Sequence, residues 1–334
     1  IAAFPYGYGM WIFFLPFIFL VKFLDLPMII GYHTAILSAD ILFLLIIKNL
    51  TGQNKNFILF IYWFSPIILT SVYLLGYNDI IPMLFILLAI QSLNVKNFFA
   101  SGIFCILSIS IKISMILVIP FFFIFIINNS VYKHRLHDFL KGIILGSIVL
   151  LLPFLIFTPS GISMIYKNPE VSNIYGLALD FKEQAQIFIF PLAYFLVFYI
   201  VVQVNRINFI LFMNIVGGTF LLITILTPSP PGWYVWTILS LVTYQSQSTD
   251  DKFSIPLSVM FSVIFLVINL LKIGNQDFIY FNLLYSWLNT ALITIGIVIL
   301  MRIGKYSFYQ NDFFKLSRKP FVLGISGDSG SGKD

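Results

Sequence analysis

Residues 97–129 read NFFASGIFCILSISIKISMILVIPFFFIFIINN, an apolar run whose one charge, Lys112, lies close to its middle. A helix needs roughly 20 residues to cross the bilayer's hydrocarbon. This run is too long for one crossing and suits two short ones. The seam falls at Ser108-Ile109-Ser110-Ile111-Lys112-Ile113-Ser114. That places Lys112 at a membrane face, between two apolar helices, and makes the chain polytopic.

Composition extends the same reading to the whole chain. It is 60% hydrophobic, 18% aromatic and 10% charged, with mean hydropathy +0.99. A soluble domain carries about 25% charged residues. The net charge of +6 comes from Lys and Arg in short loops, which is the positive-inside pattern rather than a nucleic-acid signal. The single cysteine, Cys105, sits in an apolar run, so no disulfide framework exists. No cleavable signal peptide is visible.

The tail, Phe321 to Asp334, reads FVLGISGDSGSGKD. A short β-prone run feeds Gly327-x-x-x-x-Gly332-Lys333, the spacing of a phosphate-binding loop. Its backbone N–H groups, over Gly327, Ser329, Gly330, Ser331 and Gly332, together with Lys333, would cradle phosphates. The Ser or Thr that usually holds Mg²⁺ is replaced by Asp334. The helix that normally follows is not in the chain, and residue 1 is Ile. The expectation is therefore a piece of a longer protein, whose P-loop kinase start is inactive by itself.

A nucleotide-binding tail belongs in the cytosol, which orients the rest. Walking back from it, spans are expected at about 283–303, 254–272, 232–246, 208–227, 187–204 and 142–158, then two within 97–129. Three more are expected between residue 29 and Lys96. The basic segments 130–141 and 302–320 fall inside, while 76–79 and the long stretch 159–186 fall outside. The expected fold is an all-α polytopic membrane protein with about 11 transmembrane helices, plus a helix at 9–24 that crosses or lies in the outer interface. Pro16 and the shortness of that run favour the interface slightly. The expected domains are a membrane domain at 1–303, a basic cytosolic linker at 304–320 and the P-loop stub at 321–334.

Several residues suit chemistry. Asp79, in the tight loop Gly76-Tyr77-Asn78-Asp79, can accept a proton or hold a divalent cation, or it can simply be a polar turn. Lys112 suits a lipid phosphate, or it snorkels at a helix end. Asp40 is mid-span and needs a partner, which points to structural pairing. Trp233 and Tyr234, in Pro230-Pro231-Gly232-Trp233-Tyr234, and Tyr6 and Tyr8, in Pro5-Tyr6-Gly7-Tyr8-Gly9, read as interfacial anchors or as substrate contacts. His33, His134 and His137 show no metal spacing. The outer stretch 159–186 carries Lys167, Glu170, Asn173, Tyr175, Asp180, Lys182 and Glu183, a mixture suited to a sugar or a lipid headgroup.

Taken in order, these pieces resemble the GT-C superfamily of polytopic glycosyltransferases that use lipid-phosphate sugars. They are Phe4-Pro5-Tyr6-Gly7-Tyr8, Ile36 to Asp40, Ser65-Pro66, Gly76 to Asp79, Ile111-Lys112, Pro120 and Trp233-Tyr234. The resemblance covers about 1–300, although Gly7 stands where the family usually has Pro. It implies a GT-C-like bundle and a hexosyl- or mannosyltransferase-like activity, with a polyprenyl-phosphate sugar as donor at the extracytoplasmic face. It makes Asp79 the second outer-loop acid, with the principal base expected upstream of residue 1. Lys112, Tyr6, Tyr8, Trp233 and Tyr234 would then contact substrate. The tail resembles the start of a uridine kinase-like domain, which implies ATP and Mg²⁺ in the intact protein. The expected partners are the lipid bilayer, the lipid-linked sugar and a nucleoside triphosphate, not nucleic acid. The alternatives are a multi-spanning transporter or flippase, or a membrane anchor for a nucleoside kinase.

Overall fold

The structure is a computed structural model that describes residues 6–52, 59–158, 169–181, 185–247, 252–274 and 281–311. The P-loop, most of the basic linker, and Lys167, Lys182 and Glu183 lie outside the described residues.

The chain is mostly helical. Helix α1 (Tyr8–Phe23) contains Pro16 and turns at Asp25, in the left-handed region at φ 54°, into α2 (Met28–Thr51). Helix α3 (Ile61–Leu74) is broken before Pro66, as proline requires, and its second half winds as a wide π-type turn. Helices α4 (Ile80–Asn94) and α5 (Phe98–Ile111) follow. The long apolar run then breaks where its length requires it. Lys112 is extended, at φ −144° and ψ 119°, and α6 (Ile113–Asn128) begins as a 3₁₀ turn. Helices α7 (Lys133–Phe157) and α8 (Ile189–Val202) flank the long stretch 159–186. That stretch holds a feature the sequence reading lacked, an antiparallel hairpin of β1 (Ala178–Phe181) and β2 (Ala185–Phe188), with Asp180 opposite Gln186. Helix α9 (Phe209–Leu226) leads through a 3₁₀ turn, Pro231–Thr237, to α10 (Ile238–Gln247), and α11 (Ser254–Ile273) and α12 (Phe281–Gln310) complete the bundle.

Five of these helices, α2, α7, α9, α11 and α12, are long and apolar enough to cross a membrane. The others that bracket the expected spans are apolar but only 10–17 residues long. Helix α9 is the most enclosed of the five. Large apolar side chains face outward along the bundle, among them Phe23 (87% exposed), Phe157, Phe195 and Trp287. Apolar exposure on this scale is not that of a water-soluble monomer, and it suits contact with lipid tails.

Candidate functional site

The break at Lys112 interrupts the helical hydrogen-bond ladder, where unpaired backbone groups are costly once buried. The N-terminal segment supplies the missing pairing, because Tyr6 and Lys112 form an isolated antiparallel β-bridge. The contact is close enough to explain the sequence Tyr6-Gly7-Tyr8-Gly9. A Cβ at Gly7 would lie 2.1 Å from the Ser110 carbonyl oxygen, and one at Gly9 would lie 2.3 Å from Ser110 Oγ. Glycine stands where the chain must lie flush against α5.

This docking assembles a site from segments far apart in sequence. Lys112 Nζ donates to Asp79 Oδ1 at 2.7 Å, with both side chains almost wholly buried. The same ammonium lies 5.9 Å from the centroid of the Tyr6 ring, 5.7 Å from Trp233 and 5.2 Å from Trp236. Tyr6 Oη donates to Asn78 Oδ1 at 2.9 Å, which ties the N-terminal segment to the Asp79 loop. Gly232 makes room for the carboxylate, since a Cβ there would lie 2.1 Å from Asp79 Oδ2. Ser71 Oγ donates to the Pro231 carbonyl at 2.8 Å and fixes the 3₁₀ turn against α3. Trp233 and Trp236 stack at 5.0 Å, and their buried indole N–H groups have no acceptor among the described residues.

The candidate residues are thus divided. Asp79, Lys112, Tyr6 and Trp233 come together, and Trp236, which sequence reasoning missed, joins them. Its spacing of three residues from Trp233 was the available signal, because a 3₁₀ turn puts i and i+3 on one face. The same turn sends Tyr234 elsewhere, against Phe265 at 4.4 Å between ring centroids. Tyr8 is also apart from the ion pair. Its hydroxyl bonds Thr158 Oγ1 at 2.7 Å, and it lines an apolar cavity of about 400 Å³ with Tyr6, Ile109, Ile113, Leu151 and Phe154. Lys112 suits a lipid phosphate by its sequence position. In the structure its charge is answered by Asp79, and the pair is enclosed by aromatic rings.

A divalent cation at Asp79 fits poorly. The described residues hold no group of three metal-ligating side chains, and an ammonium already occupies one oxygen of the carboxylate. Asp40 proves to be anchored within the bundle. It accepts from Tyr62 Oη, Tyr73 Oη and Trp63 Nε1, the last at 2.9 Å. Within the long stretch 159–186, Gly176 packs against the turn that leads to Trp233, because a Cβ there would lie 2.9 Å from the Pro228 ring. No family model, curated protein or solved structure matches the chain.

Proposed function

We propose that the membrane domain is a glycosyltransferase of the GT-C type, taking its sugar from a polyprenyl phosphate at the extracytoplasmic face. In the intact protein it is joined to a cytosolic, uridine kinase-like ATP-binding domain. The observation that carries the reading is the convergence of Tyr6, Asp79, Lys112, Trp233 and Trp236, with an apolar cavity starting at Tyr6. A buried ion pair is weak evidence for stability. One beside two unpaired indole donors suits a site that must hold an anion. The apolar cavity suits the prenyl chain. Lys112 and the indole N–H groups suit the phosphate once Asp79 is drawn away to the acceptor. The acceptor oxygen then bonds the anomeric carbon and its proton passes to a carboxylate, with Asp79 orienting the hydroxyl. The sugar–phosphate bond breaks, and its electron pair leaves with the polyprenyl phosphate. The count of about eleven crossings, the outward face and the role of the tail belong to this proposal.

The break at Lys112 gives the transporter reading one supporting feature, since transporters place sites at interrupted helices. Proteoliposomes carrying the intact protein and a radiolabelled polyprenyl-phosphate sugar separate the two. The transferase reading expects a labelled glycoside to form. Sugar that crosses the bilayer unreacted, or donor left untouched by folded protein, would overturn it.

A further inference from the structure

A second polar pocket lies on the other side of the 231–237 turn. It is a cavity of about 170 Å³ where Tyr234, Phe265, Asn269, Lys272, Tyr285 and Asn289 meet, at the junction of α11 and α12. Ser229 adds a hydroxyl from the proline turn.

Its polar groups are unusually idle for a helical bundle. Asn269 is only 4% exposed, and Nδ2 uses one N–H on the Phe265 carbonyl at 2.8 Å. Asn289 Nδ2 does the same on Tyr285 O at 2.9 Å. Neither amide oxygen has a partner among the described residues, and neither does the hydroxyl of Tyr234 or Tyr285. Lys272 Nζ lies 5.2 Å from the Tyr285 ring centroid and has no carboxylate within reach among the described residues. Polar groups within a bundle are ordinarily paired, and their concentration around one cavity marks a binding site.

The chemistry of the walls names the guest. Aromatic faces with amide and hydroxyl groups between them suit a ring bearing several hydroxyls. The Lys272 ammonium at the mouth suits an anion on that ring. The cavity is well below the roughly 300–1,000 Å³ of drug-sized sites, which leaves room for one ring and no chain. We infer that this pocket binds a cyclic polyol phosphate, with the ring among Tyr234, Asn269 and Asn289 and the phosphate at Lys272. The ligand is a free sugar phosphate or the headgroup of an inositol lipid. The inference does not rest on the transferase reading, because it is tested by binding without turnover.

The test uses the intact protein in phosphatidylcholine nanodiscs, with intrinsic fluorescence and thermal melting as readouts. Glucose 6-phosphate, glucose and inorganic phosphate are titrated separately, and a parallel set of nanodiscs carries phosphatidylinositol. Saturable binding of glucose 6-phosphate, or stabilisation by phosphatidylinositol alone, supports the site and identifies its source. Lys272→Gln and Asn269→Leu should each weaken that binding by roughly tenfold or more. Lys272 is exposed, so its substitution leaves packing undisturbed. Three results overturn the inference: no response to any of the probes, glucose binding as tightly as its phosphate, or both substitutions leaving affinity unchanged.

Discussion

Lys112 and Asp79 lie 33 positions apart and meet as a 2.7 Å ion pair with side chains 3% and 2% exposed. Such a pair is asymmetric in its energetics. Removing one partner strands a buried charge, at about 3–5 kcal/mol, whereas replacing both with apolar groups can be neutral. Asp79→Ala and Lys112→Ala should therefore each lower the melting temperature sharply in detergent. Asp79→Leu combined with Lys112→Met should recover most of the loss. If the site transfers sugar, the recovered double variant remains inactive. A double variant that is both stable and fully active would reduce the pair to a structural pin.

Asp40 invites the opposite expectation. Its two carboxylate oxygens are filled by Tyr62, Trp63 and Tyr73, which leaves no coordination for a substrate. A hydrogen bond to a charged group contributes about 1.5–3 kcal/mol. Tyr62→Phe should destabilise by about that amount. Tyr73→Phe should cost less, because Tyr73 is 45% exposed. Asp40→Asn keeps an acceptor but turns an NH₂ group toward donors, and it should melt early while retaining activity below its melting point. Unchanged melting with lost transfer would place Asp40 in the catalytic machinery instead.

What could be read from the sequence depended on whether a signal was local. The interruption at Lys112 was legible because the run 97–129 is too long for one crossing and carries a charge at its centre. The turn at Gly76 was legible from its Gly-Tyr-Asn-Asp sequence, whereas no break was read at Ser65-Pro66, where the structure has one. The hydrogen-bond donors to Asp40, 22 to 33 positions away, carried no local mark. The Asp79–Lys112 contact carried none either. Both residues could be assigned to one face by charge parity, but parity does not say that they touch. Tyr234 was grouped with Trp233 by adjacency, and the threefold winding of the turn separates them. The β hairpin was hidden in a stretch read only as a long loop. Its signal, Leu179 and Phe181 spaced by two with Leu179 opposite Ile187, is short and weak.

The packing of α5 on α7 was not legible at all, yet it supplies the sharpest stability test. A Cβ at Gly102 would lie 2.4 Å from the Phe139 carbonyl oxygen, and one at Gly142 would lie 2.1 Å from that of Phe99. The two backbones touch through a pair of facing glycines, and Gly146 extends the contact one turn along α7 against Ile106. This is the small-residue packing that lets membrane helices approach closely when no hydrophobic force drives them together. Because the obstructing atoms are backbone, the clash cannot be relieved by a rotamer change. Gly142→Ala should cost about 1–3 kcal/mol, the usual penalty for overpacking, and Gly142→Leu should abolish the folded state. Gly304, in α12, is the matched control, since a Cβ there meets nothing within 4 Å. Gly304→Ala should be neutral or stabilise by up to about 1 kcal/mol through helix propensity. Thermal melting of the three variants in one detergent decides the matter. Gly142→Ala melting with Gly304→Ala, at or above the parent, would mean that α5 and α7 do not approach as closely as the structure has them.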